Sequence, residues 1–347
     1  MKILFIVPYP REGPSNRFRV EQYFPALDGK GIKYKIRPFC NSGLYSILYK
    51  KGHHLKKIAY LMVSALSRVA DIFRSVNYDV VFIHREASPA KGSAYETLLR
   101  WMGRKVIYDF DDAIFLTKPA KVRMALNLAN QVIAGNHFLQ EYALRYNKNT
   151  LILHTPIDTD KYMPRPAPRD NGKIIIGWIG TGSTSVYLRS LKDVFESLAG
   201  KYKNIEFRIV GGTASACEGP FIVKKEWSLE SEVKELQGFD IGIMPMPDNE
   251  WTRGKCAFKV IQYMAVGIPS VASPVGMNME VIRDGVNGFL AGSDKEWFDK
   301  LSQLIESAAL RDSIGRNGRK TVEETYSLKV AAPKFLEILE QTGKRAV

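Results

Sequence analysis

Short apolar runs alternate with segments of helical spacing along the whole chain. Runs at Ile3 to Val7, Lys33 to Arg37, Asp79 to His84, Lys105 to Asp109, Gln131 to Ala134 and Leu151 to Leu153 predict six strands. A second set follows at Lys173 to Ile179, Ile205 to Val210, Phe221 to Val223, Asp240 to Met244, Pro269 to Ala272 and Gly288 to Leu290. Several runs are apolar at nearly every position, as in strands covered by helices on both faces. The repetition predicts two doubly wound α/β domains, residues 1–165 and 170–330. Between them, Thr155 to Gly172 carries Pro156, Pro164, Pro166 and Pro168, the composition of a linker that lets two domains close on each other.

The richest stretch runs from Phe239 to Ala291. After the apolar run, Pro245 and Pro247 open a loop holding Trp251, Arg253 and Lys255. Phe258, Ile261, Gln262 and Ala265 then fall at helical spacing, with Gly267 as C-cap and Pro269 as stop. Lys255 and Lys259 therefore sit near a helix start, where unpaired backbone N–H groups, the positive end of the helix dipole and ammonium groups converge on an anion such as phosphate.

The segment from Lys259 to Ala291, KVIQYMAVGIPSVASPVGMNMEVIRDGVNGFLA, resembles the donor-binding segment of retaining glycosyltransferase family 4, the group 1 transferases of GT-B fold. Lys259, Tyr263, Met264, Ala265, Gly267, Pro269, Ala272, Ser273, Gly276, Glu280, Asp284, Gly285, Asn287, Gly288 and Leu290 carry the match. The resemblance implies two Rossmann-like domains facing each other across a cleft, an acceptor domain first and a nucleotide-sugar domain second, with a final helix in 331–347 packing back on the first. It implies metal-independent transfer from a nucleotide diphosphate sugar, as co-substrate and without a cofactor, to a glycan or lipid-linked acceptor. Lys255, Gln262, Gly276, Met277, Asn278 and Glu280 become donor contacts, and Lys259 with Arg253 would take up leaving-group charge. Two departures stand out. The family's Glu-x7-Glu carboxylates are replaced by Gly254 and Gln262, and Met277 replaces the second glycine of the turn. Gln262 can still hydrogen-bond a ribose hydroxyl, whereas Gly254 has nothing with which to hold a sugar. A nucleotide-sugar 2-epimerase of the same fold, or a binding protein without turnover, are the alternatives.

Ligands of doubly wound sheets bind at the carboxyl ends of strands, so the loops there are read next. Arg11 to Arg19 (REGPSNRFR) does not match G-x-G-x-x-G; Ser15, Asn16 and Arg17 either meet a substrate or belong to an ordinary turn capped by Ser or Asn. Gly180, Thr181, Gly182 and Ser183 open a small-residue loop (GTGSTS) suited to a phosphate or sugar. In DFDDA, Asp109 and Asp111 have spacing that could hold a metal, though no metal site is assigned. Asp109 instead replaces the histidine that family relatives carry near this strand end, as an acceptor-side or charge-stabilising group, against a structural role paired with Arg85. Asp112 could cap the following helix. His84, Arg85 and His137 stand at strand ends, as cleft or structural residues. Trp227 lies near where family relatives seat the base, or serves the core.

Charge sharpens this picture. Up to Arg165 there are 26 Lys and Arg against 13 Asp and Glu; the remainder has 24 against 23. Within the basic half, Leu44 to Val76 mixes Lys50, Lys51, Lys56 and Lys57 with Leu55, Ile58, Leu61, Met62, Ala65, Val69, Ile72 and Phe73. This is either an amphipathic segment lying on an anionic membrane or a core helix with a basic outer face. No nucleic-acid motif accompanies the charge, and net charge alone does not argue for one. Three scattered cysteines, Cys40, Cys217 and Cys256, suggest neither a disulfide framework nor a Cys-based zinc site. The first apolar run is too short for a signal peptide and no run approaches a membrane span, so a cytoplasmic enzyme is expected, peripheral on the inner membrane face if the basic segment binds lipid.

Overall fold

The computed structural model describes residues 1–11, 13–48, 50, 52–89, 92–166, 172–212 and 218–344. Lys51, Pro168 and Cys217 lie outside the described residues. The chain forms two compact units, Met1–Pro156 with Ala331–Val347, and Ile157–Val330.

In the first unit, β1 (Lys2–Val7), β2 (Lys33–Pro38), β3 (Val80–His84), β4 (Val106–Phe110), β5 (Gln131–Ala134) and β6 (Thr150–Ile152) form one sheet in the order β2-β1-β3-β4-β5-β6. Every neighbouring pair is parallel. In the second unit, β7 (Ile174–Gly180), β8 (Ile205–Gly211), β9 (Ile222–Lys225), β10 (Ile241–Met244), β11 (Ser270–Ala272) and β12 (Phe289–Leu290) form a parallel sheet ordered β12-β11-β10-β7-β8-β9. All twelve predicted strands are present, with ends shifted by two residues at most. The inner strands β1, β3, β4, β5, β7, β10 and β11 are buried almost throughout, as in a sheet covered on both faces, whereas the edge strands β2, β6 and β9 are only partly buried.

Aromatic packing fills the first core. Phe335, from the C-terminal helix Leu328–Lys344, stacks on Tyr23 at 4.1 Å between ring centroids and meets Phe5 and Phe82. In the second core, Phe195 and Phe207 pack at 4.1 Å beside buried Trp178. The proline-rich stretch is not a free linker over residues 157–166. Ile157 donates to the Tyr326 carbonyl (2.9 Å) and accepts from Leu328 (2.8 Å), while Arg319 donates to the carbonyls of Tyr162 (2.6 Å) and Thr159 (2.9 Å). These bonds assign the stretch to the second unit.

Each sheet has a point where the winding reverses, between β1 and β3 in one and between β7 and β10 in the other. Chains leaving neighbouring strands at such a point diverge, which opens a crevice at the carboxyl ends. Both clusters of polar side chains described next lie there.

Candidate functional site

In the first unit, the chain leaves β1, turns with Gly13 donating to the Pro10 carbonyl (2.9 Å), and enters the short helix Pro14–Arg19. Gly13 is its N-cap and Pro14 its first residue, so Ser15 and Asn16 are helical residues and cap nothing. The parallel register sets His84 of β3 beside Asp109 of β4, and their side chains meet with His84 Nδ1 2.6 Å from Asp109 Oδ2. On the other side of the imidazole, Nε2 lies 2.6 Å from Ser15 Oγ. An ionised carboxylate only accepts, so Nδ1 carries a proton toward Asp109; Nε2 then accepts from Ser15, or donates to it in the imidazolium form. Ser15 Oγ is also 3.2 Å from Asp111 Oδ2.

Asp109 pairs with Arg19, not with Arg85. The Arg19 Nε donates to Asp109 Oδ2 at 3.2 Å, a second nitrogen donates to Oδ1, and a third reaches the Leu153 carbonyl at 2.6 Å. Arg19 and Asp109 are essentially inaccessible, so Asp109 stands behind His84 and does not itself face solvent. Burial would lower the Arg19 pKa, but the charge and hydrogen bond of Asp109 raise it above the ordinary arginine value. Arg85 binds Asp111 through Nε (2.6 Å) and also Asp112, whose carboxylate therefore pairs with arginine and caps no helix. Burial would raise the Asp111 pKa; the charges of Arg85, His84 and Arg19 outweigh it and hold that carboxyl below the usual range. β4 ends at Phe110; Asp109 within it and Asp111 and Asp112 beyond it join an ion-pair network with Arg19, Arg85 and His84.

Arg85 adopts φ +59°, one of three non-glycine residues with positive φ among the described residues. Such backbone strain persists only where surrounding structure imposes it, and it clusters at functional sites. Asn16 and Arg17 take buried places. Asn16 is fully buried with Nδ2 on the Tyr9 carbonyl, and Arg17 is buried with its guanidinium 4.8 Å from the Phe18 ring centre. His137 is exposed at the start of the helix His137–Leu144, its ring 6.3 Å from His154.

In the second unit, Gly180 ends β7 and the GTGSTS loop runs straight into the short helix Gly182–Ser185. Lys259, in the first turn of the helix Phe258–Ala265, reaches that loop: Nζ donates to Thr184 Oγ1 at 3.4 Å and lies 5.4 Å from the Trp178 ring centre. Position 180 must be glycine for this to happen, since a Cβ there would come within 2.7 Å of Lys259 Cε and 2.8 Å of the indole. Gly211, at φ +75°, closes the floor, because a Cβ there would lie 2.4 Å from the Gly180 carbonyl oxygen. Ala257, another residue in the left-handed region at φ +49°, stands just before the lysine-bearing helix.

The remaining predicted donor residues divide. Lys255 Nζ lies 4.9 Å from the Trp251 ring centre. Arg253 is half-exposed and forks onto Asp248 at 2.6 and 3.0 Å, so part of its charge is already answered. Gly276, at φ +52°, brings its turn against the Arg253 backbone, where a Cβ would sit 2.9 Å from Cα. The Met277 side chain is core, Gln262 is buried, and Asn278 is fully buried with Nδ2 on the Ser273 carbonyl (3.0 Å), so these three present little side chain to a ligand. Glu280 lines a groove of about 670 Å³ with Arg283, Asn287, Lys320 and Tyr326, whose lining includes none of Gly180 to Ser185, Lys255 or Lys259. Trp227 is half-buried and donates to Glu232 at 2.9 Å; Trp178 and Trp297 are the tryptophans of this unit's core. Sequence reasoning marked the loop that holds Thr184 but missed Arg19, Trp178 and Gly211. For Arg19 a signal existed, since it lies four residues after Ser15 and so on the same helical face.

Residues 173–307, most of the second unit, match the family described as Glycosyl transferases group 1. Across nearly the whole chain the fold is that of GT-B glycosyltransferase structures. The structure of HepE from Anabaena in complex with UDP-glucose has a TM-score of 0.73 at 16% identity, covering 98% of this chain and 100% of that one. A glycosyltransferase from Rickettsia africae has a TM-score of 0.71 at 16% identity, covering 99% of each chain. Among curated proteins, the capsular polysaccharide biosynthesis glycosyltransferase CapM of Staphylococcus aureus is 22% identical over 175 residues, 46% of this chain and 44% of that protein. The match spans less than half the length of the curated relatives.

Proposed function

We propose that this protein transfers a sugar from a nucleotide diphosphate sugar to a hydroxyl of a glycan or lipid-linked acceptor, with retention of anomeric configuration and without a metal. One observation carries the donor reading: Lys259 is threaded past Gly180 onto the Thr184 hydroxyl, in a domain that matches group 1 glycosyl transferases. An ammonium, loop hydroxyls and backbone N–H groups at one strand end suit a diphosphate and the charge that grows on it as the glycosidic bond breaks. Lys255 adds a second cation.

On the acceptor side, Ser15 is the partly exposed end of the Ser15–His84–Asp109–Arg19 chain. Ser15 binds the acceptor hydroxyl, His84 fixes the direction of that hydrogen bond, and Asp109 fixes the imidazole. His84 and Asp109 act as positioning residues, since neither faces solvent. The acids that could have gathered a metal are engaged with arginine, which supports charge stabilisation by side-chain cations.

The test is thermal stabilisation by UDP-, GDP-, ADP- and dTDP-sugars, for the native chain and Lys259→Ala, followed by NMR of the product's anomeric configuration. One nucleotide should raise Tm in the native chain and not in the variant. If no nucleotide sugar shifts Tm, the donor reading is wrong. Binding without turnover would point to a nucleotide-sugar binding protein, and epimerised sugar without acceptor to a 2-epimerase.

A further inference from the structure

The helix His54–Arg74 in the first unit is inverted. Its inward side chains are Ser64, Arg68, Asp71 and Ile72, while Leu55, Met62, Leu66 and Phe73 face outward with 84%, 62%, 70% and 59% of their surface exposed. This excludes a core helix with a basic outer face. Beside buried Ile72 and Tyr60, which packs against Phe39, Cys40 and Leu44, polar bonds dock the inner side: Arg68 donates to the carbonyls of Ala87 (2.8 Å), Arg37 (3.0 Å) and Val7 (3.3 Å), and Asp71 accepts from Arg37 at 2.7 Å. The apolar positions are thereby left outside. Leu55, Ile58, Met62, Leu66, Val69 and Phe73 are spaced by threes and fours, so they form one stripe about 30 Å long. Single exposed leucines need no explanation, but a continuous stripe of this length does.

Two features continue the stripe. The helix Ala94–Trp101 lies alongside, with Tyr95 Oη donating to the Ala65 carbonyl at 3.4 Å, and it ends in Trp101, which is 88% exposed. Arg104 reaches the Val76 carbonyl at 3.5 Å, which brings that turn to the far end of the stripe. The rim is basic. Lys50, Lys56 and Arg74 are exposed and Lys57 half-exposed, whereas the single carboxylate between residues 42 and 78, Asp71, is buried and paired.

We propose that this face seats the protein on an anionic bilayer, with the stripe at the boundary between headgroups and acyl chains and the rim cations on anionic lipid. Trp101 belongs at the same depth, where an amphipathic ring has one side apolar and one wet. No described helix is long and apolar enough to cross a membrane, so the helix lies in the interface plane. A second copy of the chain fits less well. In either direction its helix would bring lysines and arginines against lysines and arginines, with no exposed carboxylate on the stripe's helix to answer them. Nucleic acid would match the rim and leave the stripe in water. The proposal does not depend on the catalytic reading.

The test is co-sedimentation of the full chain with vesicles of phosphatidylcholine alone or mixed with phosphatidylglycerol, at low and high salt. Binding is expected to the mixed vesicles only and to fall with salt. Leu66→Gln with Phe73→Gln should weaken it at least tenfold, and Lys56→Gln with Lys57→Gln about fivefold per lysine. These surface changes should leave Tm and nucleotide-sugar binding as in the native chain, which separates lost membrane binding from lost fold. Absence of vesicle binding, or binding untouched by either pair of substitutions, would overturn the proposal. So would a dimer in sedimentation velocity that the Leu66/Phe73 variant dissociates, which would assign the stripe to a second copy.

Discussion

The polar clusters of the two units are built on the same kind of strand-end crevice and organised in opposite ways. In the first, cations and carboxylates answer each other before any ligand arrives: Arg19 with Asp109, Arg85 with Asp111 and Asp112. In the second, the scaffold is a small-residue loop, and the lysine laid across it meets a hydroxyl and an indole face. A buried ion-pair network fixes geometry and presents a single hydroxyl, as suits positioning of an acceptor hydroxyl. A lysine beside loop hydroxyls and backbone N–H groups at a strand end suits an anionic ligand. The contrast predicts that damage to the first cluster appears mainly as lost stability, and damage to the second as lost donor binding.

The largest effect is expected from Asp109→Ala, which leaves Arg19 buried without its anion and should cost about 3–5 kcal/mol in urea unfolding. Replacing both partners with apolar residues should recover much of that loss; a double variant as unstable as the single one would break the ion-pair account. Lys259→Ala comes next. It should lower kcat by roughly 10²–10³-fold, the effect of removing one group that stabilises transition-state charge, with Tm in the absence of ligand nearly unchanged. A large fall in ligand-free Tm would mean that this lysine is structural and that the contrast fails.

Gly180→Ala sharpens the comparison, because its Cβ collides with Lys259 and Trp178. It should destabilise by about 1–3 kcal/mol and weaken nucleotide-sugar binding at the same time, measurable by melting and calorimetry on one sample. The smallest effect is tied to pH. The Asp111 carboxyl is held below its unfolded value by Arg85 against burial, so its stabilisation is complete above the unfolded pKa of about 4 and is lost as pH falls through the folded value. Asp111→Asn should therefore be less stable than the native protein by about 1.5 kcal/mol at pH 7, with the gap closing below about pH 4. A gap that stays constant with pH would show that its hydrogen bonds, not its charge, matter.

The helix His54–Arg74 shows where reading by composition stops. Its periodicity and its lysines were plain in the sequence, yet an amphipathic pattern has the same appearance whether the apolar side faces a core or a membrane. Only the buried hydrogen bonds of Arg68 and Asp71, made to carbonyls and to an arginine from distant parts of the chain, decide that the stripe points outward.

The sequence by itself determined the twelve strands: the inner ones because a strand buried on both faces must be apolar throughout, the edge strands because short runs of β-forming residues lie between turn signals. It also marked Lys259 and the GTGSTS loop, because phosphate chemistry restricts residue types locally. The tertiary structure decided which partners those residues have. Asp109 binds Arg19, ninety positions away, and not Arg85, while Met277 and Asn278 turn into the core from a segment whose motif suggested donor contacts. Such pairings depend on strand order and register, which bring distant residues within 3 Å and leave no trace in local spacing.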